Sequence, residues 1–450
     1  MSKRLIVVLA LLFVVGSSFA AYAEVQNVKV SGDILASGVY RSHFGLTAND
    51  AGDKSVLRQS FLMSQIRLRV DADLTDNVMA TVRLINERIW NGANDTTGTD
   101  KSSIDLDLAF VTLKEFLYSP LSVTVGRQEI RFGNGLIMGN AKADVNGTGN
   151  IPMDLSERKA FDAIRATLNY DPLVIDLIYA QTKQLNSVDR STISLTGINA
   201  SYEINKKVNV SGYYYFKKDN FKGGNLGRGK EDKVQTVGAL VNSTPIENLN
   251  VSGEVAYQFG RNDSTNTTQI KHDAWAFQIL GDYTFAKVKM TPKIGMGYTY
   301  LSGSKNTSDS RNRGWDPMFY DQKLNNIVYA ILPFTNMSVI NLSASCKPMD
   351  DVTLSAVYGW YDVAKKANSG SVSSPFWYDS TSQYLTNVNY TNKRHLGEAI
   401  DVTATYDYTE DVQLGLTYGW FRPGDALALN TGNTSKSNAS QVIGSMKVIF

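Results

Sequence analysis

Beyond residue 23 the chain is written in short stretches in which apolar and polar residues alternate. Val28-Lys29-Val30-Ser31-Gly32-Asp33-Ile34, Ile66-Arg67-Leu68-Arg69-Val70-Asp71-Ala72-Asp73 and Val412-Gln413-Leu414-Gly415-Leu416-Thr417-Tyr418 are three of them. Successive side chains of a strand point to opposite faces, so each stretch reads as a strand with one apolar and one polar face. Eighteen such segments are expected, at 25–41, 58–73, 78–90, 103–117, 121–132, 159–171, 173–184, 191–204, 207–219, 232–244, 248–261, 272–286, 288–303, 327–346, 351–364, 395–408, 411–422 and 439–450. The connections alternate short and long. Thr75-Asp76-Asn77, Asp171-Pro172 and Thr409-Glu410 are short, whereas 133–158, 304–326 and 365–394 are long. Sorting by length is what a membrane barrel shows, with tight turns at one end and long loops at the other.

Charge decides which face meets lipid. Arg67, Arg69, Asp71 and Asp73 share a face of one strand, Arg83 and Glu87 of the next, and Asp105 and Asp107 of the one after. At mid-bilayer each would cost ~2–4 kcal/mol on the lipid side, so the polar face is expected to line a lumen. Arg127, Glu129 and Arg131 join it only if a bulge at Gly126 shifts the phase by one residue, and Gly197 is a second candidate for such a shift. The fold class is therefore all-β: a transmembrane antiparallel β-barrel of about eighteen strands, with short periplasmic turns and long extracellular loops. The candidate pore-lining residues are Arg67, Arg69, Arg83, Asp105, Asp107, Arg127, Glu129, Arg131, Arg165, Lys289 and Lys293.

The first residues change the picture of where this happens. Lys3 and Arg4, an apolar run from Leu5 to Val15 and the small-residue site Ala21-Tyr22-Ala23 form a secretory signal, cleaved near Ala23. Residues 1–23 are thus expected to be leader and 24–450 the barrel, placed in the outer membrane of a Gram-negative bacterium. The formal charge of +2 falls to zero once Lys3 and Arg4 are removed, leaving 43 basic residues against 43 acidic. A neutral chain gives no argument for nucleic acid as a partner. Cys346 is the single cysteine, so no intramolecular disulfide can form. The last strand alternates to an outward Phe450, the kind of terminal signature that barrel-assembly machinery reads. Outer-membrane lipid and small polar or anionic solutes are the other expected partners, and the pattern carries no signature of an oligomeric state.

Four stretches bear a family resemblance. Gly126-Arg127-Gln128-Glu129-Ile130-Arg131-Phe132-Gly133, Arg158-Lys159-Ala160-Phe161-Asp162-Ala163-Ile164-Arg165, Leu396-Gly397-Glu398-Ala399-Ile400-Asp401-Val402-Thr403-Ala404-Thr405-Tyr406 and Tyr418-Gly419-Trp420-Phe421-Arg422-Pro423-Gly424-Asp425 resemble motifs of the alginate-export porins. The resemblance implies an eighteen-stranded channel for a polyanionic sugar. The inward acids, however, are about as numerous as the inward bases, which suits weak anion preference and cross-strand bracing.

Two other classes compete with a channel. An enzyme barrel would need convergent chemistry, but His43, His272 and His395 stand alone, without H-E-x-x-H or G-x-S-x-G. No catalytic residue, metal site or cofactor is expected, and Gly223-Gly224-Asn225-Leu226-Gly227 lacks the strand-to-helix setting of a phosphate loop. An adhesive or partner-binding barrel would use loop aromatics: Trp315, Phe319, Tyr320, Phe376, Trp377, Tyr378 and Tyr384. These are expected instead to fold back over the pore mouth. The glycine-rich loop 133–158 is expected to enter the lumen and narrow it.

Overall fold

A computed structural model describes residues 27–46, 58–90, 104–141, 151–184, 192–220, 231–265, 268–305, 311–366, 372–373, 389–428 and 436–450. The leader, Gly223–Gly227, Phe376, Trp377, Tyr378 and Tyr384 lie outside these residues. Eighteen antiparallel strands close into one barrel. They are β1 (Asn27–Ser42), β2 (Arg58–Thr75), β3 (Val78–Ile89), β4 (Asp105–Leu113), β5 (Leu121–Gln128), β6 (Phe161–Asn169), β7 (Leu173–Gln184), β8 (Thr192–Asn205), β9 (Val208–Asp219), β10 (Asp232–Ser243), β11 (Leu249–Thr265), β12 (Thr268–Thr284), β13 (Lys293–Leu301), β14 (Met337–Met349), β15 (Val352–Val363), β16 (His395–Asp407), β17 (Val412–Pro423) and β18 (Ala439–Ile449). β18 pairs with β1, with Gly444 opposite Gly38, and this seam leaves no free sheet edge. Past its end, Phe450 exchanges both backbone hydrogen bonds with Gly32, at 2.7 and 3.0 Å.

Alternation puts Val30, Ile34, Ile66, Leu68, Val82, Ile279, Met296 and Leu416 on the outer surface, where they are exposed to lipid. Cys346 shares that face, opposite Leu354. The inner face departs from the expected polarity. Toward the loop end it carries Phe161, Ala163, Ile178, Ala180, Leu195, Val234, Ala256 and Ala274, all buried. These residues are covered from inside by two segments that leave the wall and enter the lumen.

The register corrects several expectations. Strand pairing runs without a shift through Gly126 on both sides. The bulge is in β4, where Asp107 is the extra residue between the pairs Arg83–Leu108 and Leu84–Leu106. Nor is there a shift at Gly197; that pair slips between Gln181 and Lys183. β13 starts at Lys293 instead of residue 288, because Met290 and Thr291 take left-handed conformations and Pro292 offers no N–H to the ladder. Residues 327–336 are not strand. They hold α1 (Asn326–Ile331) and its exit, buried within the barrel.

Candidate functional site: the plugged lumen

The first inward segment runs from Glu129 to Ala160, described on either side of residues 142–150. It leaves β5 through two glycines at positive φ, Gly133 (φ 53°) and Gly135 (φ 75°). Leu240 stands where a Cβ on Gly133 would go, and the Arg131 guanidinium lies 2.8 Å from a Cβ on Gly135. Only glycine allows both the turn and the close packing. Asn134 then reaches across to β11 and donates to Ser252 Oγ at 2.7 Å. The second segment, 302–336, described on either side of residues 306–310, follows β13. Its backbone pairs with the first: Asp321 N–H to Gly135 O at 2.8 Å, Phe319 N–H to Ile137 O at 3.0 Å, and Asn140 N–H to Phe319 O at 2.9 Å.

Leu136, Ile137, Met138, Met318 and Phe319 are buried between these segments and the wall. At ~1.5–3 kcal/mol per side chain their burial contributes about 10 kcal/mol before the entropy of ordering is subtracted. Trp315 and Tyr320 are buried there too, Tyr320 stacked on Phe334 at 4.4 Å. These three loop aromatics, Trp315, Phe319 and Tyr320, thus fold inward.

Polar anchors fix the plug around the wall. Glu87 of β3 accepts from Gln65 Nε2 (2.8 Å), Ser156 Oγ (2.9 Å), Glu157 N–H (2.8 Å) and Arg158 Nε (3.1 Å). Arg41 of β1 makes a buried, two-pronged ion pair with Asp154. Lys217 of β9 pairs with Asp316, both buried. Asp401 of β16 accepts from Asn325 Nδ2 and Asn326 N–H, both at 2.8 Å, and so holds the start of α1. Asp321 joins the two segments by accepting from Arg131 (2.7 Å) and Lys159 (3.0 Å).

The sequence-derived candidates fall in several different places. Arg67, Arg69, Arg83, Asp105 and Asp107 line one inner wall on β2–β4. Arg67 binds Asp33 through two nitrogens (2.8 and 3.0 Å), Arg69 binds Asp71 (2.7 Å), and Arg83 binds Asp107 (2.5 Å) and Glu129. Asp105 meets Arg158 at 2.7 Å. Arg165, inward on β6, donates to Asp176 at 2.8 Å. Glu129 and Arg131 lie beyond the end of β5, in the plug itself.

Arg127 is on the other face. It stands opposite Asp162 and in phase with Val125 and Ile164, and its guanidinium meets Asp162 at 3.4 Å. It sits at the loop end of β5, near the interface, where a charge costs ~0–1 kcal/mol; the mid-bilayer cost used to turn it inward does not apply there. Lys293 faces inward and pairs with Asp282 at 3.0 Å. Lys289 lies in the exposed turn between β12 and β13 and not in a strand.

Sequence reasoning missed the anchors Arg41, Lys217, Asp154 and Asp316. Each lies at a strand's loop end or within a long loop, where no period distinguishes it. The histidines sit on or beside three separate strands: His43 by Ser42 (2.7 Å), His272 by Gln258 (3.2 Å), and His395 on the outer face beside Asp362 (3.3 Å). Among the described residues no group of three His, Cys, Asp or Glu could hold a metal ion.

Below the plug, toward the turns, lies a cavity of about 570 Å³. Asn134, Asn205, Asn209, Asn242 and Asn250 line it, with Lys206, Lys207, Glu203 and Asp282.

Solved structures with this architecture are outer-membrane porins of Pseudomonas aeruginosa. OccK2 (OpdF), crystallised with glucuronate, is 9% identical with a TM-score of 0.56, covering 95% of this chain and 99% of that one. OccK9 (OpdG) is 11% identical with a TM-score of 0.55, covering 95% and 100%. OpdK, crystallised with vanillate, is 10% identical with a TM-score of 0.53, covering 94% and 98%. Identities this low establish a shared fold. A search of curated proteins gave no match. The family model for alginate export matches residues 36–441, nearly the whole barrel. This chain, an outer-membrane β-barrel channel, belongs to the alginate export family.

Proposed function

We propose that the channel passes polar solutes passively, with a weak preference for anions of the sugar-acid class. The observation that carries this reading is an asymmetry of exposure. Arg131, Arg165 and Arg69 keep 46, 30 and 39% of their side-chain surface open, while their partners Asp321, Asp176 and Asp71 keep 9, 4 and 26%. A solute in the lumen meets guanidinium edges with the carboxylates behind them. Arginine is always charged, and its planar fork suits a carboxylate. Glu129 and Glu157, 45 and 41% open, partly offset these cations, which is why the preference is weak. The family's link to alginate and the glucuronate in OccK2 agree with a uronate as solute.

The decisive measurement is the reversal potential in a salt gradient, for the native channel and for Arg69→Gln with Arg165→Gln. A native anion preference that shrinks in the double variant supports the reading. A cation-selective native channel, or an unaltered variant, removes the arginines from the mechanism.

The same reading treats the chain as non-enzymatic, supported by three histidines on separate strands. It takes residues 1–23 as a cleaved export signal. It takes Phe450, exposed beside the β1–β18 seam, as the handle for barrel assembly.

A further inference from the structure

The outer surface carries a row of cations that passage through the lumen does not use. Lys218 of β9 stands directly opposite Lys233 of β10, Lys233 opposite Arg261 of β11, and Arg261 opposite Lys271 of β12. Arg311 pairs alongside Lys271. The four strand residues are in phase with Tyr214, Val237, Val255 and Trp275, all exposed on the lipid side. With strands ~4.8 Å apart, the five cations span roughly 20 Å around the barrel.

Sheet chemistry does not account for this row, because like charges directly opposite on neighbouring strands are destabilising. Here the arrangement recurs at three successive strand pairs. Glu231 lies 3.0 Å from Lys218 and also meets Lys233, and Asp273 lies 3.4 Å from Arg311. Among the described residues two carboxylates meet five cations, which leaves the row positive.

Its depth is marked by the aromatic residues just below it. Tyr257 packs on Trp275 at 4.5 Å and on Phe259 at 5.8 Å. Tyr and Trp settle at the membrane–water interface. A row two outward positions nearer the loop end than Tyr257 and Trp275 therefore lies at the headgroups of the outer leaflet and points sideways, into the lipid layer. From this we infer that the row Lys218–Lys233–Arg261–Lys271–Arg311 docks the phosphate groups of an anionic, phosphorylated lipid of the outer leaflet. Each lysine or arginine lays its aliphatic stem along the barrel and brings its charge to the phosphate plane.

The test is native mass spectrometry of the whole folded barrel in neutral detergent. It is presented separately with bisphosphorylated lipid A, with phosphatidylcholine and with inorganic phosphate. One cation near an anionic surface is worth about fivefold in binding, so Lys233→Gln, Arg261→Gln and Lys271→Gln together are expected to reduce retention of lipid A by roughly a hundredfold. Conductance stays unchanged, because no lumen residue is touched. Equal retention of lipid A by the native and triple-variant barrels overturns the inference. So does displacement of lipid A by an equal concentration of inorganic phosphate, which would make the row a site for free anions. If the triple variant does not fold, Arg261→Gln alone and a salt titration of the native barrel decide. Retention that does not weaken as salt rises overturns the inference as well, since exposed charge pairs are screened.

Discussion

Glu87→Ala should release the first inward segment from the wall while leaving the barrel intact. The Glu87 side chain is 2% exposed and accepts four hydrogen bonds, three of them from Ser156, Glu157 and Arg158 of the plug. Truncation takes one carboxylate from Arg158, which keeps Asp105, strands the Glu157 N–H, and leaves the Gln65 amide on the Leu155 carbonyl alone. Breaking a buried pair of this kind costs ~3–5 kcal/mol. That shifts the local equilibrium between attached and detached segment by a factor of roughly 10² to several 10³. The barrel wall keeps its strand pairing, because Glu87 adds nothing to the ladder through its side chain. Holds that remain include Arg41 on Asp154, Arg67 on Glu157, Asp105 on Arg158, Gln65 on the Leu155 carbonyl, and the packing of Ile151 and Leu155 against Val39 and Met63. Two assays read the release: single-channel conductance, expected to rise with added flicker, and trypsin cleavage after Arg158 or Lys159 in the folded barrel, expected to accelerate. A variant with native conductance and native cleavage would show that Glu87 does not hold the plug, and the anchoring argument would fail.

Deleting residues 138–150 removes the stretch that pairs with Phe319 and should enlarge conductance; an unchanged value in a folded barrel would refute the constriction. Burial pushes the Asp316 carboxyl up, but Lys217, His272 and the Met318 N–H outweigh it, so the group lies below the usual carboxylate range. Such a group stabilises above its unfolded pKa of ~3.9 and loses that contribution as pH falls through the lower folded value. Protection of the second segment from protease should therefore stay flat from about pH 8 to 5 and fall only below about pH 4; loss of protection between 7 and 5 would contradict the clamp. Gly32→Leu places a Cβ 2.6 Å from the Arg67 carbonyl oxygen and 2.7 Å from the Phe450 ring. An overpacking cost of ~1–3 kcal/mol at the seam should slow refolding into vesicles, read as delayed appearance of the heat-modifiable band on a gel.

The barrel was legible because its signal is repeated in every strand: a period of two, with the charged face forced inward by the cost of lipid. The plug was legible only at its ends. The motifs Gly126–Gly133 and Arg158–Arg165 turn out to be the exit from β5 and the return into β6, so they mark where the first segment leaves and rejoins the wall. Its interior was not readable, because a segment packed on all sides needs no alternation. For the same reason Ile327-Val328-Tyr329-Ala330-Ile331 read as the start of a strand when it is a short buried helix. The inward alanines of β7, β11 and β12 are small because the plug packs against them. Arg127 misled because sequence alone gives no depth, and the price of a charge depends on depth.

The pairing of the two inward segments has a mechanical consequence. A ring of strands is a hoop, stiff along its hydrogen bonds and soft against being squeezed into an oval. Here the hoop is crossed by a chord. One end is fastened at β1 and β3 through Asp154 and Glu157, the other at β9 and β16 through Asp316 and Asn326, and the middle is joined by main-chain hydrogen bonds from Asp321 to Gly135 and from Asn140 to Phe319. Squeezing the hoop along the chord compresses a packed interior, and stretching it pulls on those bonds. Lateral pressure from the bilayer should thus be shared between the wall and the brace, so that the barrel resists ovalisation when membrane tension or thickness changes.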